Sequence, residues 1–267
     1  AKQHAVALYR AALELIPEYA EDLAVYEVVE RTPLEADVLG CRVLTASEPS
    51  RDGRIVAEIL QRLAAAGDPS LEDEARALRS AYGASAAGPL TGTTHVSVID
   101  GSGTTAALSS TLGSGSGVFR GGAQLNNMLG ELDVIGHEPR RPGARLPTML
   151  SPTLAIENGR SRLALGSAGS VRLAGAIAQV AWRVLSGGVP VDEAIEAPRM
   201  HVDGPTLNLE GGWPEAETSG LEESWEVVRW LGLNLYFGGV QAVELRADGT
   251  LAAAGDPRRG GAGRVVP

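Results

Sequence analysis

Two threonines, Thr93 and Thr111, have the spacing that most clearly allows chemistry in this chain. Each lies at one end of a hairpin-like stretch, in which strand-like runs at 94–100 and 104–111 flank a Gly-Ser-Gly turn at 101–103. In a hairpin with this three-residue loop, Thr93 falls directly across from Thr111 and the two hydroxyls meet on one face. A hydroxyl held in this way can act as a nucleophile, although a cross-strand pair of threonines is also an ordinary stabilising feature of a sheet.

Short motifs before and after this stretch carry a wider resemblance. Thr-Thr-His-Val-Ser-Val-Ile-Asp begins at Thr93, and the later motifs are Leu-Asn-Asn-Met-Leu-Gly-Glu at 125–131, Leu-Ser-Pro-Thr at 150–153, Gly-Ser-Ala-Gly-Ser at 166–170, Glu-Ala-Pro-Arg-Met-His at 196–201 and Asp-Pro-Arg-Arg-Gly-Gly at 256–261. In their order and spacing they resemble the γ-glutamyltranspeptidases. The run at Thr93 is similar to the start of the family's small subunit, where its precursors cleave themselves. The match covers essentially the whole chain, but only the second half of a typical precursor.

The resemblance implies an α+β fold, the four-layer αββα sandwich of N-terminal-nucleophile hydrolases, of which this chain supplies a part. Residues 1–92 would be the mostly helical C-terminal part of the large subunit, and 93–267 the small catalytic subunit with an antiparallel sheet. Cleavage of the Gly92-Thr93 bond would free an α-amine whose reference pKa is about 7.7 to 8.0. That amine can take the proton from the hydroxyl of the same residue, so that Thr93 serves as both nucleophile and base.

Further catalytic roles follow from the same resemblance. Thr111 matches the family's second catalytic threonine and is expected to orient Thr93. The tetrahedral intermediate places a negative charge on the acyl oxygen. The backbone N–H groups of Gly169 and Ser170, at the start of a predicted helix, are expected to receive it. His95 belongs to a family motif and is expected to buttress the site, because the free amine already supplies the base.

Recognition of a γ-glutamyl group requires a carboxylate for its α-ammonium. Glu131 stands where many family members carry an aspartate and is the expected partner, with Asp133 as the second candidate. The plain alternative for Glu131 is a solvated loop acid, which is the commoner fate of a glutamate. Asn126 and Asn127 are expected to set the neighbouring turn and donate hydrogen bonds.

Three positions in the substrate region depart from the family pattern. Gly113 replaces an asparagine that often contacts the substrate. Thr148 and Met149 replace a Ser-Ser pair that holds the substrate α-carboxylate, so that one hydroxyl is kept and one is lost. These changes leave the nucleophile intact and put the usual glutathione specificity in question. The family's carboxylate-binding arginine lies in the first half of the precursor and has no counterpart in this chain.

The resemblance therefore predicts an amidohydrolase that takes a γ-glutamyl small molecule such as glutathione and passes the acyl group to water or an amine. No cofactor is implied, and the histidines His4, His95, His137 and His201 have no metal-ligand spacing. A large-subunit half or a second copy of the chain is expected to complete the fold. Two alternatives remain: a non-catalytic subunit or scaffold, and an amidase of the same fold with another acyl donor.

Composition excludes other classes of function. A formal net charge of −10 and a pI near 5 disfavour binding to nucleic acid. The single cysteine, Cys41, allows no intrachain disulfide. We expect no membrane segment, and the lack of a signal peptide favours the cytoplasm while leaving secretion or a periplasmic site open.

The patterning of apolar residues predicts the elements that would position these side chains. Helices are expected at 5–15, 55–64, 71–81, 171–185 and 191–197. Strands are expected at 38–45, 94–100, 104–111, 153–157, 162–165, 206–209, 234–237, 240–246 and 251–253. Ser170 is the expected N-cap of the fourth helix, and Gly187-Gly188 its end. The overall class is α+β, with an antiparallel sheet flanked by helices.

Overall fold

A computed structural model describes residues 17, 20–83, 92–120, 122–136 and 141–266 of the chain. The predicted helix at 5–15, the connector that follows Gly83, and the histidines His4 and His137 lie outside the described residues. The helices are α1 Ala20–Ala24, α2 Asp52–Ala66, α3 Leu71–Tyr82, α4 Leu132–Ile135, α5 Leu173–Gly187, α6 Val191–Glu196 and α7 Glu215–Thr218. The strands are β1 Leu34–Val38, β2 Cys41–Thr45, β3 Thr93–Ile99, β4 Thr105–Thr111, β5 Phe119–Arg120, β6 Ala123–Gln124, β7 Thr153–Glu157, β8 Arg160–Ala168, β9 Met200–Asp203, β10 Thr206–Leu209, β11 Glu226–Arg229, β12 Gly239–Leu245 and β13 Leu251–Gly255.

The centre of the molecule is a six-stranded antiparallel sheet in the order β1-β2-β7-β8-β12-β13. Its middle strand, β8, is buried on both faces from Leu163 to its end. Because successive side chains of a strand point to opposite faces, Leu163 and Leu165 reach the helical layer of α2 and α5 while Gly166 faces the other way. The β3-β4 hairpin packs on that second face, against β8 and β12. The sheet is therefore covered by helices on one side and by a hairpin on the other.

The helices are placed by their apolar faces. Helix α2 buries Ile55, Ile59 and Leu63 on one side, at the spacing expected of an amphipathic helix. Helix α3 begins with a capping box, in which Ser70 and Asp73 satisfy each other's backbone N–H groups. Helix α5 is buried along nearly its whole length and lies between α2 and β8. These helices form the hydrophobic core together with the sheet.

Most predicted elements are confirmed, including the hairpin, the start of α3 at Leu71 and the end of α5 at Gly187. The single strand predicted at 38–45 is wrong, because Leu39 and Gly40 adopt positive φ and turn the chain between β1 and β2. The strand predicted at 234–237 is also wrong. Its centre is the 3-10 turn Leu235–Phe237, started by the Asn234 side chain, which accepts the backbone N–H of Tyr236.

A smaller sheet stands beside the main one, with β10 paired antiparallel to β9 and parallel to β11. The strands β9 and β11 were not predicted from the sequence. No helix in the described ranges is long and apolar enough to cross a bilayer.

Candidate active site

The hairpin brings the two threonines together in the predicted register. Thr93 pairs with Thr111 at the open end of β3 and β4. The Thr93 hydroxyl donates a hydrogen bond to Thr111 Oγ1 at 3.0 Å. Because both side chains are on the inner face of the hairpin, they are partly shielded from solvent. The expected pairing of the two hydroxyls is confirmed.

The carbonyl oxygen of Gly92 lies beside this pair and accepts two hydrogen bonds. One comes from the Leu112 N–H at 3.0 Å, and the other from Thr111 Oγ1 at 3.3 Å. The Gly92 N–H donates to the carbonyl of Gly113, and the Gly113 N–H donates in turn to Thr111 Oγ1 at 3.1 Å. The peptide group that precedes Thr93 is therefore held in one orientation against the start of the next loop.

His95 fills the space between the hairpin and the main sheet. Its Nδ1 lies 2.7 Å from Ser109 Oγ and its Nε2 lies 2.8 Å from Ser97 Oγ. Burial lowers the pKa of His95 to about 4, so the imidazole is neutral near neutral pH. A Cβ atom at Gly166 of β8 would lie 2.3 Å from two of the ring atoms. The absence of a side chain at Gly166 thus lets the strand that carries Thr93 lie close to the sheet.

The segment after β8 is a tight turn with unusual backbone geometry. Gly169 has φ 151° and Ser170 has φ 57°, which is uncommon for a serine. A Cβ at Gly169 would lie 2.7 Å from the Gly238 Cα, so only glycine fits there. Ser170 starts the 3-10 turn Ser170–Arg172, and α5 follows. The prediction that Ser170 is the N-cap is wrong: its buried hydroxyl has no hydrogen-bond partner, and Arg172 stands at the N-cap instead.

Glu131 is buried, with 5% of its surface exposed, rather than a solvated loop acid. Its Oε1 accepts hydrogen bonds from the Ser114 N–H at 2.7 Å and from the Ser114 hydroxyl at 2.6 Å. A Cβ at Gly113 would lie 2.5 Å from Asn127 Oδ1 and 2.8 Å from Glu131 Oε1. Gly113, Asn127 and Glu131 therefore converge on one point. The side chain of Asp133 lies outside the described part of the chain.

One cavity joins the threonines, the acid and the turn. Thr148 Oγ1 accepts the N–H of Leu150, which leaves its proton for another acceptor, and Met149 is buried. Of the other predicted site residues, Gly169 directly precedes the lining residue Ser170, and Asn127 lies beside Gly113. The lining residues are Thr93, Thr111, Gly113, Met128, Glu131, Thr148, Met149, Leu150, Ser170 and Leu173.

Sequence reasoning missed several residues at this site. Met128, Leu150 and Leu173 supply apolar wall, and Ser114 holds the acid. Met128 lies inside the motif that suggested Glu131, and Ser114 directly follows Gly113. Their closeness in sequence to predicted site residues is the signal that could have found them. The spacing of residues along the sequence does not show that Ser114 contacts Glu131 or that Met128, Leu150 and Leu173 line the cavity.

An aromatic cluster packs against the first turn of α5. The Tyr82 hydroxyl accepts the Gly175 N–H at 2.7 Å, which satisfies a donor in the first turn of the helix. His201 lies edge-on to both Tyr82 and Tyr236, and the Arg172 guanidinium lies 4.5 Å from the Tyr236 ring centroid. Burial, reinforced by Arg172, lowers the pKa of His201 to about 3. His201 thus packs among Tyr82, Tyr236 and Arg172.

Comparisons with known proteins identify the family of this chain. The family described as Gamma-glutamyltranspeptidase matches residues 68–266. The chain belongs to the γ-glutamyltranspeptidase family. The chain is 30% identical over 203 residues to the Acylase ACY 1 proenzyme of Pseudomonas sp. (strain SE83), covering 70% of this chain and 35% of that protein. It is 26% identical over 310 residues to the Glutathione hydrolase proenzyme of Escherichia coli (strain K12), covering 89% and 53%. The chain thus spans about half or less of the length of these relatives.

Solved structures of the family confirm the fold. The γ-glutamyltranspeptidase from Pseudomonas nitroreducens complexed with L-DON aligns with a TM-score of 0.55 at 27% identity, over 65% of this chain and all of the aligned chain (100%). The cephalosporin acylase from Bacillus halodurans aligns with a TM-score of 0.72 at 18% identity, over 97% of this chain and 58% of that one. The second likeness concerns the fold alone. The α+β fold is that of the N-terminal-nucleophile hydrolases.

Replacement of Gly166 tests the close approach of the hairpin to the sheet. We expect Gly166→Ala to push the His95 ring outward and displace the strand that carries Thr93, because a Cβ atom would overlap the ring. The variant should be destabilised by roughly 1–3 kcal/mol in urea unfolding, the usual cost of overpacking. Gly232→Ala is the matched control, since an added Cβ there meets no atom within 4 Å. Equal stability of the two variants would contradict this account.

The buried His201 predicts a sensitivity of folding to acid. Its pKa is about 3 in the folded protein and about 6.5 in the unfolded chain, so the unfolded chain binds the proton first and stability falls as the pH drops below 6.5. Between pH 7 and pH 5 the parent should therefore lose roughly 2 kcal/mol more than His201→Phe. Urea unfolding at both pH values measures this loss, and pH 8 against pH 7 is the control. Parallel losses in parent and variant would refute the assignment.

Proposed function

We propose that the protein is a γ-glutamyl amide hydrolase or transferase that uses Thr93 as an N-terminal nucleophile, freed by cleavage of the Gly92-Thr93 bond. The observation that carries the proposal is the contact chain from Thr93 Oγ1 to Thr111 Oγ1 and on to the Gly92 carbonyl oxygen. It places a nucleophile, an orienting hydroxyl and a polarised carbonyl in one group. In this view Gly92 marks the boundary between a large-subunit segment at 1–92 and a catalytic subunit at 93–267.

Cleavage would begin with attack of Thr93 Oγ1 on the carbonyl carbon of Gly92. The negative charge that forms on the carbonyl oxygen would be stabilised by the donors already bound to it, the Leu112 N–H and the Thr111 hydroxyl. The C–N bond then breaks, an ester forms, and the hydroxyl proton passes to the nitrogen of Thr93. Water hydrolyses the ester, which leaves a carboxylate on Gly92 and a free amine on Thr93.

Turnover would repeat this chemistry on a donor amide. The α-amine of Thr93 takes the hydroxyl proton as Oγ1 attacks the donor carbonyl, and the departing amine receives that proton. The turn at Gly169 and Ser170, at the head of α5, would stabilise the oxyanion through backbone N–H groups. Water or a second amine then resolves the acyl-enzyme. Thr111 keeps the nucleophile oriented throughout.

Glu131 would bind the α-ammonium of the donor, because it is the buried carboxylate of the cavity that contains Thr93. A glutathione-like donor agrees with the name of the Escherichia coli relative. A second candidate is an amide with another acyl group. Met128 and Met149 favour it, because they line the cavity with apolar side chains. Of the two hydroxyls that the family's Ser-Ser pair offers to the substrate, only that of Thr148 is kept here. The acylase relative is consistent with that alternative. A scaffold without turnover is the outcome if Thr93 is never freed.

A partner polypeptide, either a large-subunit half or a second copy, would complete the fold. The outer face of the β3-β4 hairpin exposes Val96, Val98 and Leu108 to extents of 52%, 53% and 66%. The hairpin is a two-stranded sheet whose outer edges have no further strand in the described residues. An apolar face and unpaired edges of this kind are normally covered in a stable protein.

Intact mass spectrometry beside a Thr93→Ala variant tests the proposed function. We expect the parent to yield two fragments, the second beginning at Thr93, and to release chromophore from a γ-glutamyl anilide. Thr93→Ala should remain one chain and lose at least a thousandfold in activity, as expected for removal of a nucleophile. Thr94→Ala is the control, because its exposed side chain is on the other face of β3. If the parent stays uncleaved and inactive when the rest of the precursor is supplied, the proposed function is wrong. The protein would then be a scaffold without turnover.

Substitution on the outer face tests the partner. Val98→Asp should reduce the native mass of the assembly, measured by light scattering, because it places a charge in a covered apolar face. Leu231→Asp is the control, since Leu231 is fully exposed at 107% and follows β11 of the smaller sheet rather than the hairpin. If both variants keep the parent's native mass, the hairpin face is not an interface.

A further inference from the structure

Ser114 is in contact with the acid of the cavity at two points. Its backbone N–H and its hydroxyl both donate to the same atom, Glu131 Oε1, at 2.7 and 2.6 Å. Hydrogen bonds to an ionised carboxylate are stronger than those between neutral groups. Two short bonds to one oxygen fix the rotation of the carboxylate and leave Oε2 for a donor in the cavity that Glu131 lines.

Gly113 provides the room that this arrangement needs. Its φ of 61° is in the left-handed region, and a Cβ there would lie 2.8 Å from Glu131 Oε1 and 3.0 Å from Glu131 Cγ. The acid therefore occupies the volume that any side chain at 113 would fill. The lack of a side chain at this position and the length of the glutamate are matched to each other.

Asn127 adds a second acceptor at the same point. Its Oδ1 is shielded from solvent, has no hydrogen-bond partner, and would lie 2.5 Å from a Cβ at Gly113. Two acceptors, one of them charged, thus meet beside Gly113. A ligand that carries a positive charge and several donors, such as a primary ammonium, fits the remaining carboxylate oxygen, Glu131 Oε2, and Asn127 is a further acceptor beside Gly113.

We propose that Ser114 and Gly113 are positioning residues for ammonium recognition: Ser114 fixes Glu131 so that its second oxygen meets the donor's ammonium, and Gly113 gives the long acid its place. The inference rests on the proposed function, in which Glu131 binds the γ-glutamyl α-ammonium. It adds that Gly113 and Glu131 together determine the specificity for the ammonium. A substitution at one position therefore requires a compensating substitution at the other.

The first test is Ser114→Ala in the complete, matured protein, with a γ-glutamyl anilide and a glutaryl anilide as donors that differ by the ammonium. We expect KM for the γ-glutamyl donor to rise about tenfold, as for loss of one hydrogen bond to a charged group, with kcat changed less than about twofold. KM for the glutaryl donor should stay the same. Ser114→Thr keeps the hydroxyl and should restore the parent KM.

Ser116→Ala is the matched control on the same loop. The Ser116 hydroxyl bonds to the Leu125 carbonyl and not to Glu131, so both donors should keep the parent KM. Where the glutaryl anilide is turned over too slowly to measure, the rise in KM at constant kcat and its rescue by Ser114→Thr decide the question.

The second test compares single and double variants at Gly113 and Glu131. Gly113→Ala should lose about tenfold or more in kcat/KM for the γ-glutamyl donor, because the new Cβ displaces the carboxylate. Glu131→Asp alone should also lose activity, since the shorter acid withdraws from Ser114. The double variant Gly113→Ala and Glu131→Asp should be more active than Gly113→Ala alone.

The outcomes separate this inference from the proposed function. A parent that turns over the γ-glutamyl donor supports the function. The inference is overturned if Ser114→Ala then raises KM equally for both donors, lowers kcat alone, or is not rescued by threonine. Simple additivity in the double variant likewise overturns the coupling of Gly113 to Glu131. A parent that turns over neither donor removes both proposals together.

Discussion

A buried group of four charged side chains holds together the segments around the loop before β12. Arg199 pairs with Asp256 at 2.6 Å, and Arg258 pairs with Glu210 at 2.6 Å and with Asp256 at 3.2 Å, with no exposed side-chain surface in any of them. Buried ions are costly to desolvate, so each needs its partners. The two arginines also donate to backbone carbonyls, including those of Phe237, Gly238 and Ile195. The network therefore fixes the loop before β12 and the end of α6 against each other.

The position of the turn at Gly169 and Ser170 follows from that loop. Gly169 touches Gly238, and the Arg259 side chain, next to the network, packs against Gly239. Strand β8 then connects this turn to the hairpin. Gly166, three residues before Gly169, lies against His95 of the hairpin. The strand that carries Thr93 and the turn at Gly169 are thus both positioned by β8, through two glycines that permit close contact. A shift of β8 would move both.

How much of this could be predicted from sequence depends on the range of the interactions. The register of Thr93 against Thr111 was predictable because a short loop determines it. Helices α2 and α3 were predictable from their apolar spacing. The ion network joins residues up to 57 positions apart, as in the Arg199–Asp256 bond, and no local pattern encodes such a contact. The strand predicted at 234–237 failed because a side-chain bond from Asn234 competed with strand formation.

The bond from Gly175 to the Tyr82 hydroxyl bears on what happens to the chain end that cleavage would create. Tyr82 is the last residue of α3, and the stretch from Gly83 to Gly92 contains ten residues. At about 3.3 to 3.6 Å per residue, a chain of this length can reach roughly 30 Å. A new carboxylate at Gly92 could therefore leave the nucleophile while α3 stays packed on α5. Maturation would then require no dissociation, because the segment that ends at Gly92 would stay bound through the packing of α3 on α5.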